Sequence, residues 1–307
     1  MTTPLHHTSV LLAEAVNALQ PQSGKVYGDL TLGGGGHTLA LCGLLNETNT
    51  VIGLDQDPVA LGKAKEALKD VLPKVVLIQG NFGEVARLVT LKVDGGVLLD
   101  LGVSDFQLKV AERGFSFRQK APLDMRMNPE SLLSASELVN TWPEKELADL
   151  FYLYGDEKLS RPIARAIVEA RPIEDTVTLA KLVETLYRQK GVKARNIHPA
   201  TRVFQALRIA VNRELEQLES CLGQLPALLA PGARVAIITF HSGEDKIVKK
   251  FFKTESATCI CPPGLPVCRC HHQPTFKVIG KPISPGEEEC RQNPQARSAK
   301  LRVAERV

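Results

Sequence analysis

The hydrophobic pattern changes period along the chain. In the first third, Val26-Tyr27-Gly28-Asp29, Thr50-Val51-Ile52-Gly53-Leu54-Asp55, Val75-Val76-Leu77-Ile78-Gln79 and Gly95-Gly96-Val97-Leu98-Leu99-Asp100 are apolar throughout rather than alternating. That pattern predicts parallel strands buried on both faces. Helical runs stand between them, one over residues 38–45 and one over 58–69 that Asp57 caps and Pro58 opens. A helix over 10–16 precedes them, with its cap read in His7-Thr8-Ser9. Strands alternating with helices imply an α/β fold around a mostly parallel sheet.

After Asp100 the rhythm is lost. Residues 105–213 contain no convincing strand, and helical periods dominate, as over 144–154 and 161–171. Val203, Phe204, Leu207, Val211, Leu215, Leu218 and Leu222 recur at three- and four-residue steps, predicting one helix over 201–222. Pro231-Gly232 then turns into a fifth strand over 234–240, and 299–305 reads as a last one. The expected organisation is a core of residues 1–104 and 214–307 interrupted by a helical domain, 105–213.

The strand ends carry the chemistry. Asp29, Asp55, Asn81 and Asp100 close successive strands, on the side where ligands of open α/β sheets gather. The first strand runs into Gly33-Gly34-Gly35-Gly36-His37, a turn in which no Cβ stands between backbone and ligand. Asp55 follows about 20 residues on, as a ribose-binding acid does. The turn has neither G-x-G-x-x-G spacing nor the Lys-Ser/Thr of a P-loop, so a diphosphate is not demanded. S-adenosylmethionine, with a ribose and an ammonium group but no phosphate, fits these residues better.

Bulk properties narrow the class. The 307 residues are 44% hydrophobic and 23% charged, as in a globular protein with a large core. No apolar run approaches the roughly 18 residues of a membrane span. The start lacks a basic segment followed by an apolar one, so a cytoplasmic location is expected. The formal charge of +4 is compatible with a nucleic-acid partner.

Within the insertion, Arg113-Gly114-Phe115-Ser116-Phe117 and Leu123-Asp124-Met125-Arg126-Met127 mix aromatics, arginines and methionines without a period, and read as a binding loop. Between Glu184 and Glu214 stand Arg188, Lys190, Lys193, Arg195, Arg202, Arg208 and Arg213 with no acid among them. Such a run is ordinarily a solvated face; in an insertion beside a ligand site it suits phosphates. His241, leaving the fifth strand, serves either as an acid–base group or as a hydrogen-bonding tether, the commoner role. Four of the seven cysteines pair as Cys259-x-Cys261 and Cys268-x-Cys270. Four thiolates can close a zinc site, but the usual spacing is C-x₂₋₄-C, so a reduced exposed loop is the leading expectation and no metal is assigned.

Taken together these residues resemble the MraW family of S-adenosylmethionine-dependent methyltransferases, which act on N4 of a cytidine in bacterial small-subunit ribosomal RNA. The resemblance runs from His7-Thr8-Ser9-Val10-Leu11-Leu12 to Asn293-Pro294-Gln295-Ala296-Arg297-Ser298. Its most specific parts are 29–37, 100–107, 112–117, 123–127, 198–212 and 240–245. It implies a Rossmann-like class I methyltransferase core with an inserted helical domain for RNA recognition. It implies cofactor contacts from Gly35, Gly36, His37, Asp55, Phe82, Asp100 and Gln107. The chain departs from the family at Leu30, where a small residue is usual, and at Gly243, where Leu is. Asp105 and Lys109 replace Ser and Asp around Gln107.

A cytosine amino group is a poor nucleophile because its lone pair is conjugated with the ring. Asp100, or a backbone carbonyl after it, is the candidate catalytic acceptor for its hydrogen. Amino-methylating DNA enzymes often carry Asp/Asn-Pro-Pro-aromatic here, where this chain has Asp-Leu-Gly-Val. Candidate substrate contacts are Arg113, Phe115, Phe117, Arg126, Arg195, His198, Arg202 and Arg208, with small-subunit ribosomal RNA, within a ribosomal subunit, as partner. The alternative is a non-catalytic RNA-binding assembly factor on the same fold; a nicotinamide dehydrogenase is disfavoured by the absent G-x-G-x-x-G.

Overall fold

The computed structural model describes residues 9–192, 197–262 and 267–307, with the backbone alone at 105 and 106. The chain divides into two compact units, Met1–Gly102 with Leu215–Val307, and Val103–Glu214.

In chain order the first unit begins α1 (Leu12–Ala18), β1 (Val26–Asp29), α2 (Gly36–Cys42), β2 (Thr50–Asp55), α3 (Pro58–Ala67), β3 (Lys74–Gln79), α4 (Val85–Leu88) and β4 (Gly96–Asp100). The second unit holds α5 (Asp105–Lys109), α6 (Ala135–Thr141), α7 (Glu144–Gly155), α8 (Ser160–Glu169), α9 (Thr176–Gln189) and α10 (Thr201–Asn212). The chain continues with α11 (Glu214–Leu228), β5 (Arg234–Thr239), α12 (Ser242–Glu255), β6 (Phe276–Ile283), α13 (Glu287–Gln292) and β7 (Lys300–Arg306).

The sheet has the order β3-β2-β1-β4-β5-β7-β6. Neighbours from β3 through β5 are parallel, and β7 is antiparallel to both β5 and β6. This is an α/β, Rossmann-like core around a mostly parallel sheet. The continuous apolar runs are explained by burial on both faces. Val97 and Leu99 enter one core cluster with Ile52, Leu54, Val235 and Ile237; Leu98 enters the other with Val51, Ala236 and Ile238.

Four expectations need correction. The strand 75–79 is not buried: β3 is the sheet's edge and stays half-exposed. β6 escapes the periodicity because it is an exposed edge interrupted by Gly280 and Pro282, with a register shift between Ile279 and Ile283. The single helix over 201–222 is two, because Arg213 adopts a left-handed conformation with φ 51° between α10 and α11. α1 starts at Leu11 with no side-chain cap; the Leu11 amide instead donates to Glu289 Oε1 of α13 at 2.7 Å. His7 and Thr8 lie outside the described residues.

The second unit packs around its own core, which includes Leu123, Met125, Met127, Phe151, Ile163, Val183 and Phe204. Phe115, Leu123, Met125 and Met127, from the two segments read as a binding loop, are part of this core. Gly114 turns there at φ +68°, and a Cβ on it would lie 2.3 Å from the Pro122 carbonyl oxygen. Gly114→Ala is expected to cost at least about 2 kcal/mol, from the left-handed conformation and the clash together, measured by chemical denaturation.

Candidate active site

Three adjacent parallel strands, β2, β1 and β4, each end in an aspartate. Asp29 is 2% exposed. Its Oδ2 accepts from Thr38 Oγ1 at 2.6 Å and its Oδ1 from the Thr31 amide at 3.2 Å. Burial pushes its pKa up despite those donors. It serves to tie β1 to α2.

Asp55 organises the glycine turn. Its Oδ2 accepts from the Gly33 amide at 2.7 Å and its Oδ1 from the Asp57 amide at 2.8 Å. Each oxygen keeps a second lone pair. Burial raises the carboxyl to about 6, the two amides notwithstanding. Beyond the turn, Gly35 is the residue before α2, with φ 83°, a conformation that favours glycine. Gly36 and His37 open the helix; among the described residues nothing lies within 4 Å of where a Cβ on Gly34 would be.

Asp100 differs from the other two in its partners. Its amide donates to Thr31 Oγ1 at 2.6 Å. Its Oδ2 lies 3.6 Å from His37 Nδ1, while His37 Nε2 meets the Val10 carbonyl oxygen at 3.0 Å. His37 Nε2 therefore carries a proton, since a carbonyl oxygen only accepts. Asp100 Oδ1 is buried and has no hydrogen-bond partner among the described residues. Its carboxyl is pushed up to about 6, chiefly by burial; His37 opposes the shift, and Asp29 and Glu244 add to it.

Neighbouring loops are built as turns. Asn81 Oδ1 accepts from the Gly83 amide at 2.9 Å, which sets half-buried Phe82 at the start of a 3-10 turn. His241 is a tether: its Nδ1 accepts from the Gly243 and Glu244 amides at 3.2 and 3.4 Å, and caps α12. Nε2 must then hold the ring proton, and it lies 3.1 Å from Glu244 Oε1.

The structure thus brings Gly35, Gly36, His37, Asp55, Phe82 and Asp100 into one unit at the carboxyl ends of its strands. Gln107 belongs to the second unit. It is 5% exposed, and its Oε1 accepts from the Ser104 amide at 3.1 Å.

The predicted substrate residues divide by their partners. Arg113 donates to the carbonyls of Arg126 and Met127, both at 2.9 Å. Arg126 grips Asp124 at 2.9 and 2.7 Å and the Ser131 carbonyl at 2.9 Å. Arg208 forms a two-pronged pair with Glu214, both bonds 2.8 Å, across the break at Arg213. Phe115 is 8% exposed within the core. In this structure these four brace the insertion from within. Asp124 and Glu214 are the signals that sequence reasoning passed over. Phe117 and His198 differ: their rings stack with centroids 4.7 Å apart, and Phe117 also meets Phe204 edge-on at 4.8 Å. His198 is exposed; Arg202 is half-exposed, and its guanidinium reaches the Asp156 carbonyl at 3.1 Å. Lys193 and Arg195 lie outside the described residues.

The model of the MraW methylase family matches residues 4–307. A ribosomal RNA small subunit methyltransferase H from Heliobacterium modesticaldum is 47% identical over 310 residues, covering 98% of this chain and 99% of that protein. The proteins of the same name from Thermomicrobium roseum and Brevibacillus brevis are 46% and 45% identical, covering 98% and 100% of this chain and 94% and 99% of theirs.

Two substitutions separate structural from functional roles. Asp100→Asn removes a desolvated charge, and is expected to stabilise the fold by roughly 1–3 kcal/mol at pH 7.5, read from thermal unfolding. Arg208→Ala leaves Glu214 almost buried and unpaired. It is expected to destabilise the protein by roughly 2–4 kcal/mol, seen in unfolding rather than in affinity for RNA.

Proposed function

Because the chain belongs to the MraW methylase family, we infer that it transfers the methyl group of S-adenosylmethionine to small-subunit ribosomal RNA, and we propose that the acceptor is the exocyclic N4 of a cytidine. The observation that carries the N4 proposal is Asp100 Oδ1, a buried carboxylate oxygen without a partner among the described residues at the end of a central strand.

The residues present suit this cofactor. The free lone pairs of Asp55 match a pair of ribose hydroxyls. Desolvated acids match a ligand with cationic ammonium and sulfonium groups. Gly35 and Gly36 continue the turn beside it, where Gly34 leaves open space, His37 orients Asp100, and Phe82 offers an apolar face. When bound, S-adenosylmethionine supplies an electrophilic methyl group.

The rest of the chemistry falls to side chains. Asp100 Oδ1 accepts a hydrogen bond from the amino group, which turns the nitrogen lone pair out of conjugation. As that nitrogen becomes tetrahedral its surplus proton passes to the carboxylate, whose raised pKa suits it to receive one. Positioning of this kind is worth up to about 7–11 kcal/mol in favourable systems. In the insertion, the Phe117–His198 pair is the platform for an unstacked base, and Arg202, with exposed Arg188 and Lys190, meets phosphates. Gln107 supports the loop that leaves β4. No helix among the described residues is long and apolar enough to cross a membrane. We place the enzyme in the cytoplasm, with the RNA met inside a ribosomal subunit.

The test is incubation with labelled S-adenosylmethionine and small subunits from cells lacking the enzyme, followed by nucleoside mass spectrometry. N4-methylated cytidine is the expected product. Label on a base carbon or on protein, or none with the fold intact, contradicts the proposal. Only ionised Asp100 accepts the amino hydrogen, so kcat/KM is expected to fall as pH drops through about 6. Asp100→Asn is expected to lower kcat by at least about 100-fold and to abolish that acid limb.

A further inference from the structure

We propose that Cys259, Cys261, Cys268 and Cys270 form a four-thiolate zinc site that folds the loop between α12 and β6. All four are free cysteines, and their Sγ atoms lie within 4.8 Å of one another. Cys259 and Cys268 are 3.5 Å apart, Cys268 and Cys270 3.5 Å, and Cys259 and Cys270 3.8 Å. Four sulfurs bonded to one zinc at about 2.3 Å occupy the corners of a tetrahedron with edges of about 3.8 Å. Three of the edges are therefore already close to what the ion requires, and Cys261 Sγ, within 4.8 Å of the others, needs at most a small inward shift.

The surrounding backbone is arranged for thiolates. The Ile260 amide points to Cys270 Sγ at 3.4 Å, the Cys261 amide to Cys259 Sγ at 3.4 Å, and the Arg269 amide to Cys261 Sγ at 3.3 Å. Each donor offsets part of the charge that four thiolates bring. The turn that points the Cys261 amide back at Cys259 Sγ is also how a spacing tighter than the usual C-x₂₋₄-C converges. Cys-x-Cys spacing alone left the metal unassigned; the three-dimensional convergence assigns it.

The loop has little else to fold around. Among its described residues Ile260 is 49% exposed and Val267 69% exposed, so neither enters a core. Its base is closed by the Thr275 amide donating to the Glu255 carbonyl at 2.8 Å, and by His272 Nε2 donating to the Thr254 carbonyl at 2.9 Å. Small apolar-poor segments of this kind gain their order from a metal or a crosslink. An all-sulfur donor set selects zinc over magnesium or calcium. Four protein ligands leave no open position, so the ion is structural and plays no part in methyl transfer.

The experiment uses the full chain purified under reducing conditions, analysed by plasma mass spectrometry and by exchange with Co(II). About one zinc per chain is expected. Co(II) should give thiolate charge-transfer bands and the strong visible bands of tetrahedral cobalt. Cys268→Ser with Cys270→Ser should lose both signals and leave the circular dichroism of the remaining fold unchanged. If that variant fails to fold, metal content and the cobalt spectrum of the unaltered chain decide alone. Under about 0.1 zinc per chain after incubation with Zn(II), an octahedral cobalt spectrum, or iron in place of zinc overturns the assignment.

Discussion

Desolvation of carboxylates at the ends of β2, β1 and β4 is the constraint on which the active centre depends. The central strands are buried on both faces, so their polar side chains sit at the ends. There Asp29, Asp55 and Asp100 stand on neighbouring strands, and burial raises all three above the ordinary carboxylate range. Amides of the glycine turn and the ring of His37 offset part of the cost. What remains is a negative, partly dry surface, complementary to a small cation carrying a ribose. The same desolvation that makes the site uncomfortable for the fold raises the Asp100 carboxyl to about 6, the basis of its proposed role as proton acceptor.

The insertion solves a different problem. Its arginines look like phosphate ligands in sequence, yet several are spent on holding the unit together. Arg113 and Arg126 secure the turn around Met125, whose φ is 62°, and Asn212 accepts from the Met127 amide at 2.7 Å while donating to the Met125 carbonyl at 2.8 Å. Arg208 locks the junction between α10 and α11. The groups proposed to meet RNA are a smaller set that includes the Phe117–His198 pair. A few exposed groups on a rigid scaffold suit a base that must leave its stack.

Much of this was legible from the residues. The strands that matter most, β1, β2, β4 and β5, are dense apolar runs, and three of them close on an acid that marks the ligand end. The helix break at Arg213 was not legible, because the apolar period continues across it. β6 was hidden by Gly280 and Pro282 and by its exposure on both faces. Partners of arginines were hidden because a charge run shows composition and not pairing: Glu214, just beyond the run, neutralises Arg208. The convergence of the four cysteines was hidden for a related reason, since spacing along the chain sets a limit on convergence without deciding it.

The most direct measurement is calorimetric titration of S-adenosylmethionine into the folded chain, repeated with Asp55→Ala. Binding of about one molecule per chain, weakened at least about tenfold by the substitution, is the result the account requires. Equal affinity in the two proteins, or no binding by a chain whose circular dichroism confirms its fold, contradicts it.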